Sequence, residues 1–292
     1  MLWQLIINAV IAAAALSLVA IGFSLIYRVL KFFHFAHGVV YTLAPYIAFV
    51  FCRTLHVPLL PSLGVGVVAS IALGCAIEAA VYRPLRQRGS SSLILLLASL
   101  GVYIIVQNLI SLIFGDEIRS LRAGTTEIGL HLLGARITAI QLLTVGASTV
   151  LIPLVTLFTR HTTIGRAMRA IACDEELARV SGIDTGVAIL VSVVIGSALA
   201  GTAGILVALD VDMIPGMGMN ALMMATVAVI IGGASSIPAI AVGSLVLTVA
   251  QNLGVWKLSS QWQDAIAFVI LALVLLLRPQ GLVITPVRKA AV

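Results

Sequence analysis

Nine apolar stretches order the chain, near Leu5–Tyr27, Val39–Phe51, Leu59–Tyr82, Leu93–Phe114, Ile140–Phe158, Val187–Leu209, Leu222–Ile231, Ile237–Leu253 and Ala265–Leu277. Most reach the roughly 20 residues that carry a helix across a bilayer. None alternates apolar and polar positions as a barrel strand does, and lipid leaves helices as the other way to satisfy the backbone. The pattern predicts an all-α membrane protein. It is a polytopic helical bundle of about seven to nine spans, with residues 1–292 forming a single transmembrane domain.

Two places interrupt the pattern. Val39–Phe51 is short and follows Phe32-Phe33-His34-Phe35-Ala36-His37-Gly38, where imidazoles sit among aromatic rings. Further on, Ile231-Gly232-Gly233-Ala234-Ser235-Ser236-Ile237-Pro238 splits a long apolar region, and the piece before it is short for a crossing. The two pieces form either a re-entrant hairpin or two short spans. Interrupted helices of this kind are where transporters commonly build substrate paths.

One long polar segment, residues 160–185, separates the fifth and sixth apolar stretches. Thr162 or Thr163 is placed to cap a helix start, and Gly182 suits a left-handed cap at its end. Ile164, Met168, Ile171, Leu177 and Val180 recur at helical spacing, while Arg166, Arg169, Asp174, Glu175 and Arg179 cover much of the remainder. The expectation is one short amphipathic helix, Ile164–Ser181. It either lies on the lipid surface or docks into a groove on a partner. Acidic residues balance the arginines here, which weakens the attraction to anionic headgroups.

Composition supports the membrane reading. Only 10% of the 292 residues are charged and 61% are hydrophobic, against roughly 25% charged in soluble domains. Too few charges remain to cover a water-facing surface. The net charge of +6 sits in loops between apolar stretches, without a basic face carrying aromatics, so no nucleic-acid role is expected. With the N-terminus outside, Arg28, Lys31, Arg83, Arg86, Arg88, Arg160, Arg166, Arg169, Arg179, Arg278, Arg288 and Lys289 are cytoplasmic. Arg53, Arg119, Arg122, Arg136 and Lys257 are then outside. Twelve against five fits the positive-inside bias. No Lys or Arg precedes Arg28, so the first stretch reads as a retained helix rather than a signal peptide.

Candidate chemistry is sparse. His34 and His37 are spaced to share a helical face, yet no nearby carboxylate or thiol completes a metal set. They read as structural at a broken helix or as contacts along a path. Gly38 permits a close approach there. Met213, Met217, Met219, Met223 and Met224 are irregularly spaced and suit apolar packing rather than copper. Glu78 lies close enough to Arg83 and Arg86 for an interfacial pair. Gly196, Ala200, Gly201 and Gly204 allow close helix packing. Cys52, Cys75 and Cys173 read as unpaired thiols. No nucleotide-binding loop or nucleophilic triad occurs, so no catalytic residue is assigned.

Several motifs occur in one family's order. Thr163-Ile164-Gly165-Arg166-Ala167-Met168-Arg169-Ala170, then Asp174, Ala178 and Gly182-Ile183-Asp184, resemble the ATPase-coupling loop of branched-chain amino-acid ABC transporter permeases. Phe35-Ala36-His37-Gly38, Tyr82-Arg83-Pro84-Leu85-Arg86, Ala198–Gly204, Gly232-Gly233 and Arg278-Pro279-Gln280-Gly281-Leu282 are similar to further elements of that family. His34 replaces the usual Asn, Asn220-Ala221 and Met223-Met224 occupy a stretch that often carries a Lys, and residues 234–239 lack glycines found there.

The resemblance implies a multi-pass permease subunit of an ATP-driven importer in a bacterial inner membrane, with residues 160–185 as its coupling loop. The cargo would be branched-chain or related amino acids, or alternatively urea, short amides or another small organic solute. It implies a second similar permease (as homo- or heterodimer), two cytoplasmic ATP-binding subunits and a periplasmic solute-binding protein. ATP and Mg would be bound by those partners, with no cofactor on this chain. A channel or carrier that needs no ATPase is the rival reading. The expected substrate path runs by His34, Phe35, Ala36, His37, Gly38, Gly232 and Gly233. Coupling falls to Gly165, Arg166, Arg169, Asp174, Ala178 and Gly182.

Overall fold

A computed structural model describes residues 2–122, 129–132, 135–234 and 236–283. Seven long apolar helices are α1 (Leu2–Leu30), α3 (Leu59–Ile77), α5 (Ser92–Phe114), α6 (Ala139–His161), α9 (Thr185–Asp210), α11 (Ile237–Val255) and α12 (Gln263–Leu277). A π-helical turn, Glu78–Tyr82, and α4 (Arg83–Gln87) prolong α3, and a 3₁₀ turn, Ser260–Trp262, leads into α12. Two shorter apolar helices, α2 (His37–Phe49) and α10 (Met217–Gly232), complete the bundle, and a π turn, Val50–Thr54, prolongs α2. On the polar segment lie α7 (Thr163–Cys173) and α8 (Glu175–Val180). One feature was not expected from the pattern. It is a small antiparallel hairpin pairing Leu130–Leu132 (β1) with Ala135–Ile137 (β2), Leu130 opposite Ile137.

The basic residues sort to two ends. At one end Gln4 bonds the backbone of Arg136 in both directions, at 3.0 and 2.9 Å. There too Arg119 exchanges backbone bonds with Met213 at 3.0 and 2.9 Å, Arg53 reaches the Arg122 carbonyl, and Arg122 reaches that of Asp210. At the other end Lys31 donates to the carbonyl of Ala172 in α7. Arg53, Arg119, Arg122 and Arg136 of the expected outer set thus lie at one end of the bundle, and Lys31 of the expected cytoplasmic set at the other. Arg288 and Lys289, assigned to the cytoplasmic set, lie outside the described residues.

α1 is the hub, packed by α6, α9, α10 and α11, and α3 packs against α2 and α9. Without water there is little hydrophobic drive between helices, so close backbone approach and polar bonds hold them. Ser148 Oγ donates to Ala14 O (2.7 Å), Thr248 Oγ1 to Ala9 O (2.9 Å) and Ser70 Oγ to Ser197 O (3.1 Å). A Cβ on Gly204 would strike the Tyr41 carbonyl. This close approach of α9 to α2 explains the small-residue run there. Glu78 bonds Arg86 through both carboxylate oxygens, as the spacing suggested. Met213 is buried with Tyr46, Ile110 and Ala208, a packing role, and all three cysteines are unpaired. Leu112 on α5 and Leu276 on α12 are each 81% exposed, as lipid-facing helices require.

Gly204→Ala is expected to destabilise the protein by about 1–3 kcal/mol through overpacking. Gly101→Ala, with nothing within 4 Å of its new Cβ, is expected to hold or raise stability, because Ala outranks Gly in a helix. Thermal unfolding in detergent checks the pair. Equal midpoints for the two variants would contradict the packing argument.

Candidate functional site: a buried junction of two broken helices and a polar loop

α1 descends to the α7 end of the bundle at Leu30, and the chain then climbs back into the bundle before α2 starts at His37. His37 Nε2 lies 3.4 Å from the Val19 carbonyl. Val19 stands eleven residues above the end of α1, roughly 16 Å at 1.5 Å per residue. α2 thus begins deep in the bundle, not at its surface. From the other side, residues 211–216 lead from the outer end of α9 to α10, whose first turn meets the first turn of α2. A Cβ on Gly38 would overlap the Gly218 carbonyl, and one on Gly218 the Gly38 carbonyl. Only two glycines fit this crossing.

Buried non-helical backbone is tolerated when protein groups satisfy it. The Phe35 amide donates to Ser99 Oγ at 3.2 Å, and Ser99 Oγ lies 3.1 Å from the Phe33 carbonyl. Amides of His37 and Gly38 bond the carbonyls of His34 (3.2 Å) and Phe35 (3.0 Å). His34 and His37 do not share a helical face, because His34 precedes the helix. Their ring centroids are 6.0 Å apart. His34 Nδ1 is bonded to Tyr82 Oη at 2.9 Å, and both rings are buried. Nδ1 of His37 is buried with no partner among the described residues. No group of three or more His, Cys, Asp and Glu placed to hold a metal occurs among the described residues.

Above this junction lies a cavity of about 430 Å³ between α1, α2, α6, α9 and α10. Its floor includes Val19, Tyr41 and Ala221; its walls are aliphatic, with Ile11, Ala12, Leu16 and Leu206; Asn8, Gln141 and Asp210 stand at its outer end. Gln141 has two tasks. It closes a capping box with Thr138 at the start of α6, and its Nε2 donates to Asp210 Oδ1 at 3.2 Å. The junction residues His34–Gly38 come together beneath the cavity. Gly232 and Gly233 do not join them: they close the cytoplasmic end of α10, against Ala239, Gly243 and Gly281. Ser235, in the same break, lies outside the described residues. α11 is long enough to span, while α10 starts at the depth of Gly38. The pair is therefore one short inserted helix and one span.

The polar segment is two helices, not one. Thr162 is the N-cap, accepting from the Gly165 amide at 2.9 Å. Asp174 leaves helical geometry, ends α7 and caps α8 by accepting from the Leu177 amide at 3.0 Å. The break reorients the second half. Met168 and Ile171 are buried against the bundle, whereas Leu177 and Val180 are 65% and 85% exposed. The apolar spacing had suggested that all four faced one way; a capping carboxylate in mid-segment resets the phase. Gly165 is buried where a Cβ would overlap the Phe158 carbonyl and the backbone of Thr159, so it seats α7 on α6. Ala178 is buried too. Gly182 has φ +81°, as its capping role requires. Of the residues assigned to coupling, Arg166, Arg169, Asp174 and Gly182 face outward.

Comparison with known proteins fits this architecture. The model of the family described as branched-chain amino acid transport system / permease component matches residues 5–275. The high-affinity branched-chain amino acid transport system permease protein BraD of Pseudomonas aeruginosa is 34% identical, over 97% of this chain and 96% of the relative. LivH, the corresponding permease protein of Escherichia coli, is 34% identical over the same shares. A probable branched-chain amino acid transport permease protein of Methanocaldococcus jannaschii is 27% identical over 94% of this chain and 90% of its own. Among solved structures, PsaBC from Streptococcus pneumoniae in complex with Fab superposes with a TM-score of 0.53 at 15% identity. It covers 94% of this chain and 91% of that one, a likeness of fold. The chain belongs to the branched-chain amino acid transport system permease family.

Proposed function

We propose that this chain is a membrane-spanning permease subunit of an ATP-binding-cassette importer in a bacterial inner membrane, carrying branched-chain or closely related amino acids. The family match over residues 5–275 is the observation that carries the reading. In this reading the chain pairs with a second permease. A periplasmic solute-binding protein delivers cargo, and two cytoplasmic subunits bind and hydrolyse ATP with Mg.

The outer cavity suits such a cargo. Aliphatic walls match a branched side chain, and the Asp210 carboxylate at the outer end offers a partner to an α-ammonium group. Its volume falls within the range of small-molecule sites, about 300–1,000 Å³. Beneath it, the Gly38–Gly218 crossing and His34–His37 form the closed floor of the path. The unpartnered His37 Nδ1 would gain a hydrogen-bond partner in a state where that floor opens, which favours opening thermodynamically. Gly232 and Gly233 act at the cytoplasmic end, where α10 turns into α11.

On the cytoplasmic face, Arg166 and Arg169 offer charge-assisted contacts to an ATPase, and Leu177 and Val180 its apolar anchors. Asp174 and Gly182 shape the loop, while Gly165 and Ala178 tie it to the spans. Movement of a docked ATPase would reach the bundle through α7 and α6, shifting the balance of outward- and inward-open states.

A Leu177→Asp, Val180→Asp double variant is expected to lower co-purification of the ATPase at least about tenfold, or 1.4 kcal/mol, with membrane insertion unchanged. Undiminished capture would remove α8 from the docking surface. Proteoliposomes holding the complete assembly should accumulate leucine only with ATP. Uptake by this chain alone would favour an ATPase-independent channel or carrier. ATP-driven uptake of urea or short amides in place of leucine would reassign the cargo.

A further inference from the structure

At the cytoplasmic boundary of the bundle a second cavity, of about 180 Å³, opens between α1, α6, α7 and the start of α11. Three arginines line it: Arg28 from α1, Arg160 from α6 and Arg169 from α7. No carboxylate is among the lining residues. Of the acids on the loop, Asp174 caps α8, Glu175 pairs with Arg179 at 2.8 Å and Asp184 caps α9, while Glu176 is exposed and does not line the cleft. Arg169 reaches the Arg160 carbonyl at 3.4 Å, so its positive charge is not neutralised there. Arg28 is half-buried and makes no side-chain hydrogen bond or ion pair among the described residues.

Three like charges around one cleft repel each other, and no carboxylate among the lining residues balances them. The inner wall, with Leu25 and Val29, is apolar. Ser236 places the positive end of the α11 dipole at the same cleft. The site stands where α1 and α6 leave the hydrocarbon region, the depth of lipid headgroups. Guanidinium matches phosphate through paired hydrogen bonds, and basic pockets between spans on the cytoplasmic side suit anionic headgroups.

We propose that this cleft binds a phosphate group, supplied by the headgroup of an anionic phospholipid of the cytoplasmic leaflet. The bound phosphate bridges Arg28 and Arg160 on the spans to Arg169 on α7. It thereby clamps α7 to the bundle. The inference stands on the cleft and its charges; because Arg169 is also placed at the ATPase contact, the test varies only Arg28 and Arg160 of the three.

The test uses the full chain, extracted in detergent with its associated subunits retained and titrated with phosphatidylglycerol or phosphatidylcholine under native mass spectrometry. Phosphatidylglycerol should saturate at one molecule per chain in this cleft, with phosphatidylcholine far weaker. Arg28→Gln with Arg160→Gln should weaken that binding at least about tenfold, while Arg28→Lys with Arg160→Lys retains most of it. Arg88→Gln, on the remote end of α4, should leave it unchanged. Gel filtration and thermal midpoints of all variants report folding, and the Lys pair keeps the test valid should the Gln pair misfold. Equal binding of the two lipids overturns the proposal. So does loss of phosphatidylglycerol equally in Arg88→Gln, which would mean unspecific charge attraction. Full displacement by millimolar inorganic phosphate would replace the lipid by free phosphate as the occupant.

Discussion

The constraint on which this structure depends is that lipid offers no partner to a backbone amide or carbonyl. Long helices satisfy it trivially. The chain nevertheless leaves helical geometry inside the bundle, at residues 32–36 and again before α10. Each break survives because it is wrapped in protein: Ser99 serves both Phe33 and Phe35, and the first turns of α2 and α10 are pressed together through Gly38 and Gly218. The remainder of the bundle reads as the casing this junction needs. α1 supplies a carbonyl to His37, α5 supplies Ser99, and the end of the α3 rod supplies the Tyr82 hydroxyl to His34.

That arrangement divides the molecule mechanically. The contacts of α1 with α6 and α11 are locked by hydroxyl-to-carbonyl bonds, and α9 meets α2 at a glycine without room for a methyl group. The junction has less to hold it, with a weak 3.4 Å contact on one imidazole nitrogen and no partner on the other. The 430 Å³ cavity sits directly above this junction, and the α7–α8 loop is seated on the end of α6, whose first turn carries Gln141 at the cavity's outer end.

Much of the fold was legible because its signals are local. Apolar length set the seven long helices. The Gly182 cap and the Glu78–Arg86 pair also followed from spacing alone. The site was less legible. His34 and His37 are three residues apart, yet a helix begins between them, and no periodic signal marks a start inside an aromatic run. Asp174 looked like a surface charge, but as a cap it ends one helix and turns Leu177 and Val180 outward. The cavity residues Asn8, Gln141 and Asp210 were missed because they come from three distant segments; a carboxylate closing an apolar stretch was the available clue.

By itself, the sequence determined class and family. Hydrophobic length, charge bias and ordered motifs act residue by residue and need no neighbours. Only the tertiary structure decided which interruptions face each other, where the enclosed volume lies and which arginines share a cleft. Those properties arise from contacts between segments far apart in the chain, such as Gly38 with Gly218 or Arg28 with Arg160 and Arg169, which exist only once the helices are packed.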